Sequence, residues 1–491
     1  MEMIISVVIF IAGVALAIQA FIGLSFFISS VWEKERRAAF FAGLQFAGML
    51  AVLLVFLWLA RAGFFRTAAG FGLLIAGYVV AVVAAILLVR RTKPDPSALR
   101  GTEGLIRGEV NRFDEREQVF ARNRTIRPGS KEYEIFYREH PQYEAYDKQR
   151  RKKGGPLGSI GAIDGKKGGP NVEATLACNF VPQAFSTPDK VKPKPIFNPM
   201  YQSKGEESEL KVRRYDLSPE EATQRVKGFT LSVGADLVGI TEINPLWVYS
   251  HKGEIFNENW EDWGKEIVPD KYAIVFAEEM DFRMVGAAPH TPTVFESMRN
   301  YSKGAFIATQ LASFIANLGY RATANHLRHY EALMVPLAVD AGLGELGRLG
   351  YLITKEFGPR VRLGAVTTDL PLVPDKPVDI GVGHFCKICK KCATCCPSKS
   401  IPLGEQEVVN GTLRWKLNEE TCFDYWGKIG TDCNICMRVC PYSHARTLPH
   451  KLIVELIARN ANARRIFSFM DDIFYGRKPK PRPAPEWTKF K

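Results

Sequence analysis

Three stretches near the N-terminus lack any charged side chain: residues 4–32, 38–60 and 68–89. Each is long enough to cross a hydrocarbon layer of roughly 30 Å, with allowance for tilt. The third carries Gly70, Gly72 and Gly77, which would permit close helix contacts. Also missing is a signal peptide: the chain starts Met1-Glu2-Met3, with no basic n-region and no small-residue cleavage site. A twin-arginine export signal is absent too, because Arg36-Arg37 and Arg90-Arg91 stand in the wrong places. Residues 1–91 therefore read as an anchor of three transmembrane helices. Internal repeats and long low-complexity tracts are lacking, which excludes solenoid and fibrous classes.

Basic residues are unevenly spread around the three stretches. The first loop holds Lys34, Arg36 and Arg37, the second only Arg61 and Arg66, and Arg90, Arg91, Lys93, Arg100 and Arg107 come after the third. Positive charge gathers on the cytoplasmic side. The expectation is an outside N-terminus, with the long C-terminal region in the cytoplasm. The net charge of +13 by itself suggests nucleic acid, but these flanking residues account for it more simply, and no nucleic-acid partner is expected.

Of ten cysteines, Cys178 and Cys395 stand apart and give no basis for a disulfide framework. The other eight read Cys386-x2-Cys389-x2-Cys392-x3-Cys396-Pro397, an isolated Cys422, and Cys433-x2-Cys436-x3-Cys440-Pro441. The first run has the bacterial ferredoxin spacing, in which the fourth cysteine ligates the other cube. On that rule Cys386, Cys389, Cys392 and Cys440 hold one 4Fe–4S cluster, and Cys396, Cys422, Cys433 and Cys436 hold the second. A zinc site would need only four ligands in paired spacing. Cys395, beside Cys396, reads as a buried small side chain. Lys387, Lys390, Lys391 and Lys399 surround the first run. They would stabilise anionic clusters, dock an acidic electron donor, or form a solvated basic loop.

A chain of 491 residues holds two or more domains. Residues 92–212 are polar and basic, with Lys152-Lys153-Gly154-Gly155-Pro156 and Lys166-Lys167-Gly168-Gly169-Pro170; such a segment wraps over the neighbouring domain rather than building a core. Residues 213–375 have α/β texture. Ser218-Pro219-Glu220-Glu221 opens a helix to about Ser232. Buried strands are expected over 236–243, 272–277 and 362–368, a long helix over 293–318, and a helical pair over 337–354 around Gly342-Leu343-Gly344. Residues 376–450 carry the clusters. A helix near 451–459 and a basic, Pro-rich tail complete 451–491.

Several blocks, in this order and spacing, make the chain familiar. They are Arg122-Asn123-Arg124-Thr125-Ile126-Arg127-Pro128-Gly129-Ser130-Lys131-Glu132-Tyr133 with His140-Pro141, and Asn300-Tyr301-Ser302 ahead of a helix ending Ile315-Ala316-Asn317-Leu318-Gly319-Tyr320. Ala341-Gly342-Leu343-Gly344-Glu345-Leu346-Gly347-Arg348, Phe357-Gly358-Pro359-Arg360-Val361-Arg362 and Thr367-Thr368-Asp369-Leu370-Pro371-Leu372 come next. With both cysteine runs, residues 110–450 resemble corrinoid-dependent reductive dehalogenases. The resemblance implies a nitroreductase-like α/β core holding base-off cobalamin, a ferredoxin-like domain with two 4Fe–4S clusters, and an organohalide substrate. The cofactor supplies the difficult chemistry. Among this chain's residues, Tyr301 best matches the family's proton-donating tyrosine. A phenol ionises near pH 10, so a neighbouring cation helps it release a proton. Arg362 matches that cation, with Arg360 left open by the Arg-Val-Arg register. Asn325 matches a polar pocket residue, beside His326 and His329. His290 and His384 show no metal-ligand spacing and read as structural or solvated.

No Asp-x-His-x-x-Gly loop occurs, as in dehalogenases, so cobalamin contacts have no motif. The chain departs from the family at its N-terminus. Typical respiratory members carry a twin-arginine signal and use a separate anchor protein, whereas here the anchor is fused. Glu33-Lys34-Glu35 resembles the Glu-x-Glu motif of those anchors, which would place the first loop outside; the charge distribution argues the reverse. The electron donor stays open among quinol, ferredoxin and a flavoprotein. Two other functions fit part of the sequence. One is an epoxyqueuosine reductase-like cobalamin enzyme, for which three membrane helices are out of place. The other is a non-catalytic electron-transfer subunit, which leaves the α/β domain idle.

Overall fold

The computed structural model describes residues 2–153, 170–184, 214–255, 260–327 and 329–488. The Gly- and Pro-punctuated stretches 154–169 and 185–213 lie outside the described residues. The helices are α1 (Glu2–Trp32), α2 (Arg36–Arg61), α3 (Ala68–Val89), α4 (Lys131–Glu139), α5 (Pro141–Lys153), α6 (Pro170–Ala184), α7 (Pro219–Ser232), α8 (Phe282–Gly286), α9 (Pro292–Asn317), α10 (Met334–Asp340), α11 (Val382–Cys389), α12 (Lys391–Cys395), α13 (Glu419–Ile429), α14 (Ile435–Arg438), α15 (Leu448–Arg459) and α16 (Ala461–Phe474). The strands are β1 (Leu237–Glu242), β2 (Tyr272–Glu279), β3 (Ala322–Asn325), β4 (Glu345–Leu346), β5 (Leu352–Ile353), β6 (Val361–Thr368), β7 (Glu407–Val409) and β8 (Thr412–Arg414).

Helices α1, α2 and α3 are long and apolar enough to cross a membrane. Side chains such as Phe10, Phe21, Leu54, Trp58 and Val80 face outward. Helices α1 and α2 form a hairpin. A Cβ at Gly23 would stand 3.4 Å from the Phe46 backbone, the close approach that small residues allow. The expected role of Gly72 and Gly77 does not hold, since a Cβ at either meets nothing within 4 Å. The α1–α2 loop rests on the rest of the chain: Glu35 accepts from Arg482 at 3.1 Å, and Trp32 stacks on Phe282 at 6.4 Å. Asn460 caps the end of α3 by donating to the Leu87 carbonyl at 2.9 Å.

The central sheet runs β1-β2-β6-β3 with antiparallel neighbours. Strand alternation sends Ile274, Phe276 and Val366 toward α7 and α9, and Ala273, Val275 and Ala365 toward α10. Both faces are covered, so the two middle strands are apolar almost throughout. Ser218 and Glu221 form the reciprocal capping box at the start of α7, as the sequence leads one to expect.

The expected helical pair over 337–354 is a correction. One helix, α10, ends at Asp340, and β4 and β5 then form a small hairpin with Glu345 opposite Ile353. Gly342 and Gly350 adopt positive φ (+74° and +81°), and a Cβ at Gly344 would meet the Ile353 carbonyl oxygen at 2.2 Å. Glycine serves close backbone approach here, not helix.

Residues 92–153 wrap as the composition suggests. Thr102 donates to Asp340 at 2.6 Å, and Arg112 donates to the Val248, Tyr249 and Ile267 carbonyls. Buried Arg122 and Arg150 pair with Glu420 on α13. In β1, a Cβ at Gly239 would lie 2.2 Å from the Ala341 carbonyl oxygen. Gly239→Ala should therefore cost about 1–3 kcal/mol, read as a lowered thermal midpoint with unchanged membrane partitioning.

Candidate active site

The eight cysteines of the two runs come together in two sets, crosswise. Around Cys440, the thiols whose charge bears on it are Cys386, Cys392 and Cys389. Around Cys436 they are Cys433, Cys422, Cys392 and Cys396, so Cys392 faces the second set as well as belonging to the first. As free thiols, Cys386, Cys389, Cys392, Cys422, Cys433, Cys436 and Cys440 are held protonated. Burial, chiefly, pushes Cys386 up to about 12, Cys389 to about 11, and both Cys422 and Cys433 to about 12. Groups this unfavourable as buried thiolates call for a metal to take the charge. The Arg348 amide donates to the Cys386 sulfur at 3.5 Å, the kind of bond that tunes a cluster's potential. Lys390, Cys433 and Asn434 adopt left-handed backbone (φ +52°, +64° and +53°), at roughly 1–2 kcal/mol each, so that the loops can wrap inward.

The four lysines around the first run divide. Lys391 is 1 % exposed and ion-paired to Asp471 and Asp472 of α16, so it belongs to no solvated or docking surface. Lys387 and Lys399 are exposed. Cys395 is half-buried rather than buried, and its sulfur donates to the Arg477 carbonyl at 3.4 Å.

Where α9 crosses the end of the sheet, Tyr301 meets Arg362. The guanidinium carbon lies 5.2 Å from the Tyr301 ring centroid. Arg362 donates to the Ser297 hydroxyl at 2.6 Å and stands 3.5 Å from Asp432. Burial opposes its charge, but Tyr301 and Asp432 more than compensate and raise its pKa. Asp432 also accepts from Thr293 at 3.1 Å and Asn434 at 2.9 Å and precedes Cys433 in the chain. Tyr351 and Tyr330 complete the corner, their phenols kept neutral by burial and then by neighbouring thiols or by Tyr301. An arginine beside a phenol is suited to hold a phenolate, so this corner can give up a proton.

The alternative cation lies elsewhere. Arg360 is fully buried and donates to the Ser443 carbonyl at 2.9 Å, Met280 carbonyl at 2.6 Å and Glu279 at 2.9 Å. Asn325 is occupied by its own loop: its amide donates to the Thr323 carbonyl at 3.2 Å, and its oxygen accepts the Glu331 N–H at 2.7 Å. Neither bond points it toward Tyr301. Sequence reasoning missed Glu278, Tyr351, Ser297 and Asp432. For Glu278 a signal existed, because the 274, 276 alternation continues to 278.

No model of a known protein family matches the chain. Over 292 residues it is 34 % identical to the tetrachloroethene reductive dehalogenase of Sulfurospirillum multivorans, covering 53 % of this chain and 58 % of that protein. A solved reductive dehalogenase, described in terms of B12-dependent dehalogenation, superposes with a TM-score of 0.57 at 26 % identity, covering 79 % of this chain and 49 % of its own. The chain is similar to reductive dehalogenases. A shorter likeness, 35 % over 124 residues, links it to the epoxyqueuosine reductase of Lactococcus garvieae (strain Lg2) and covers 22 % of this chain and 31 % of that one. The chain spans about half the length of the reductive dehalogenases it matches.

Two features of this chain would suit a bound group. The cysteines offer two four-thiol sets in inward-wrapped loops. At the corner, Arg362 Nε has no hydrogen-bond partner among the described residues. Such orphaned groups belong where another molecule completes the site.

Position and chemistry can be separated by stability. Asn325→Ala leaves the Glu331 N–H buried and unmatched and should cost about 1–3 kcal/mol. Tyr301→Phe keeps the ring and should stay within about 0.5 kcal/mol of wild type. Denaturant titration of both variants checks this.

Proposed function

We propose that this chain is a membrane-anchored reductive dehalogenase, a nitroreductase-like core joined to a ferredoxin-like pair of 4Fe–4S clusters. The observation that carries it is Tyr301 beside the Arg362 guanidinium, which Asp432 links to the Cys433 ligand loop. The reaction takes an organohalide, two electrons and one proton to the hydrocarbon and halide. Electrons enter at the Cys386, Cys389, Cys392, Cys440 set and pass to the Cys396, Cys422, Cys433, Cys436 set. Base-off cobalamin, when bound, supplies the reducing centre. Tyr301 then gives its proton to the carbon that loses halide, and Arg362 stabilises the phenolate left behind. Ser297 and Asp432 hold Arg362 in place, and Asn325 supports the loop after β3.

The catalytic region faces the cytoplasm in this reading. Support comes from the loop charges, and from the contacts that put the α1–α2 loop and the end of α3 on the same side as the cysteines.

The donor stays open among quinol, ferredoxin and a flavoprotein; a quinol would have to enter beside the membrane helices. A small, partly open apolar cleft of about 50 Å³ is lined by Phe26 of α1, Phe385, His444, His450, Phe467 and Tyr475. Phe385 adjoins Cys386, and Pro441 in the same wall adjoins Cys440, so the cleft touches both membrane helix and first cluster. Quinol oxidation also needs proton acceptors. His450 Nδ1 stands 3.4 Å from Glu33, and burial, chiefly, pushes the Glu33 carboxyl up to about 8. The ligand atoms of Glu33, His444 and His450 lie within 4.8 Å of one another. The two imidazoles, however, stack nearly parallel, 20° apart in plane. A metal lies in the plane of its imidazole, so the pair suits proton handling better than a shared ion.

The deciding experiment is anaerobic reconstitution with iron, sulfide and cobalamin, with methyl viologen-driven halide release as the assay. About eight irons per chain are expected from the ligand count, with a corrinoid band and released halide. Four irons or zinc would sink the ligand assignment. Corrinoid without halide release would point to the epoxyqueuosine reductase-like reading, and absence of corrinoid to an electron-transfer subunit. Tyr301→Phe should retain both cofactors and lose roughly 10²-fold in turnover. Glu33→Gln should slow turnover driven by a quinol while leaving viologen-driven turnover intact; equal loss with both donors would remove the cleft from the electron path.

A further inference from the structure

The corner beside Tyr301 contains a carboxyl group that the chemistry above leaves unused. Glu278 closes the α9-facing row of β2 and is 1 % exposed. Neither oxygen has a hydrogen-bond partner among the described residues. Helix α9 settles directly on it because residue 304 is glycine: a Cβ there would stand 2.9 Å from Glu278 Oε1. Tyr301 precedes Gly304 by three residues and so shares its helix face. Across the sheet, Glu278 is the register partner of Arg362. Toward solvent lies the Lys303–Asp236 pair, 3.1 Å apart, with side chains 33 % and 35 % exposed.

A buried carboxylate with no donors is costly, and the group keeps its proton instead. Burial raises the Glu278 pKa well above the carboxylate range; Lys303 lowers it, Asp236 raises it and Arg362 lowers it in turn. Tyr330, whose phenol feels Glu278, is the remaining titratable neighbour. The result is a protonated acid between solvent and the proton donor. Tyr301 must recover a proton after every turnover, and its side chain is only partly exposed.

We propose that Glu278 is the proton reservoir that recharges Tyr301, refilled from water at Lys303–Asp236. This rests on Tyr301 being the proton donor. In the first step the Tyr301 O–H breaks as the product C–H forms, leaving phenolate. In the second, the Glu278 O–H breaks and the Tyr301 O–H re-forms. In the third, the Glu278 carboxylate takes a proton from water. No electrons move in the last two steps.

The test compares the first turnover of the pre-reduced, corrinoid-loaded enzyme with its steady state. Glu278→Gln keeps the shape and one acceptor oxygen but carries no transferable proton. It should release the first equivalent of halide at the wild-type rate and then slow by roughly 10-fold or more, the low end of general-acid effects. Glu278→Asp, which restores the proton, should recover much of the loss. Tyr301→Phe should instead slow the first turnover, so failure of that reading is visible separately. Stability supplies a readout without cofactor. The fold retains a proton that the unfolded chain sheds, so wild type loses stability as pH rises above the ordinary carboxylate range, and Glu278→Gln should lose less than wild type, with the buried carboxyls of Glu115 and Glu345 still contributing. A slowed first turnover with reduced corrinoid content would make Glu278 a cofactor support and overturn the proposal, as would unchanged steady-state rates.

Discussion

Everything in the C-terminal half depends on two sets of thiols meeting crosswise. Cys440 must reach back to Cys386, Cys389 and Cys392, while Cys396 leaves its own run for Cys422, Cys433 and Cys436. That exchange ties the two runs into a unit that neither could form alone. It also forces left-handed backbone at Lys390, Cys433 and Asn434, a strain that persists only because surrounding structure over-determines it. Buried cations complete the constraint. Arg348 lies over Trp415 at 4.5 Å and binds the Cys386, Pro402 and Gly404 carbonyls, and Lys391 joins the first run to α16.

The proton-handling corner is built onto this unit rather than beside it. Asp432, next to Cys433, holds both α9 through Thr293 and the sheet through Arg362. A shift of the ligand loop therefore moves the arginine, and with it the environment of Tyr301. Asp432 thus joins the Cys433 loop, α9 and the sheet at one point, the kind of joint that keeps side chains in a narrow geometry without flexible segments. The buried Arg122 and Arg150 serve the same end from outside by clamping residues 92–153 onto the helix that carries Cys422.

Local chemistry made much of this legible beforehand. Cysteine spacing suggested how the thiols group, and the thiols around Cys440 and Cys436 lie close enough to bear on one another's charge. The charge-free stretches that became α1, α2 and α3, the Ser218 cap and the long helix α9 were readable, because each depends on neighbours in sequence. What escaped depends on distant partners. Lys391 looks like one more loop lysine until Asp471, eighty positions on, is placed beside it. Asn325 looks free of local bonds until the Glu331 amide is placed on its oxygen. Glu278 sits in a strand whose apolar run seemed to end at Ala277; the 274, 276 alternation pointed on to it, but only the descent of α9 at Gly304 shows what it faces. The glycines of 342–350 satisfied a helical reading by composition, yet a tight hairpin needed them more.

The latch between the α1–α2 loop and the C-terminal segment also bears on how the protein can be handled. Phe26, Ala38 and Ala42 pack against Phe474 and Tyr475, Arg37 donates to the Ile473 carbonyl at 2.8 Å, and Glu35 neutralises Arg482. Trimming the anchor to make a water-soluble version would uncover that aromatic patch and strand the Arg482 guanidinium against Phe282, which it overlies at 3.8 Å. One sticky surface would replace another, with the last turn of α3 no longer there to occupy Asn460. Detergent or nanodisc extraction of the intact chain is the gentler route to a sample that keeps its clusters.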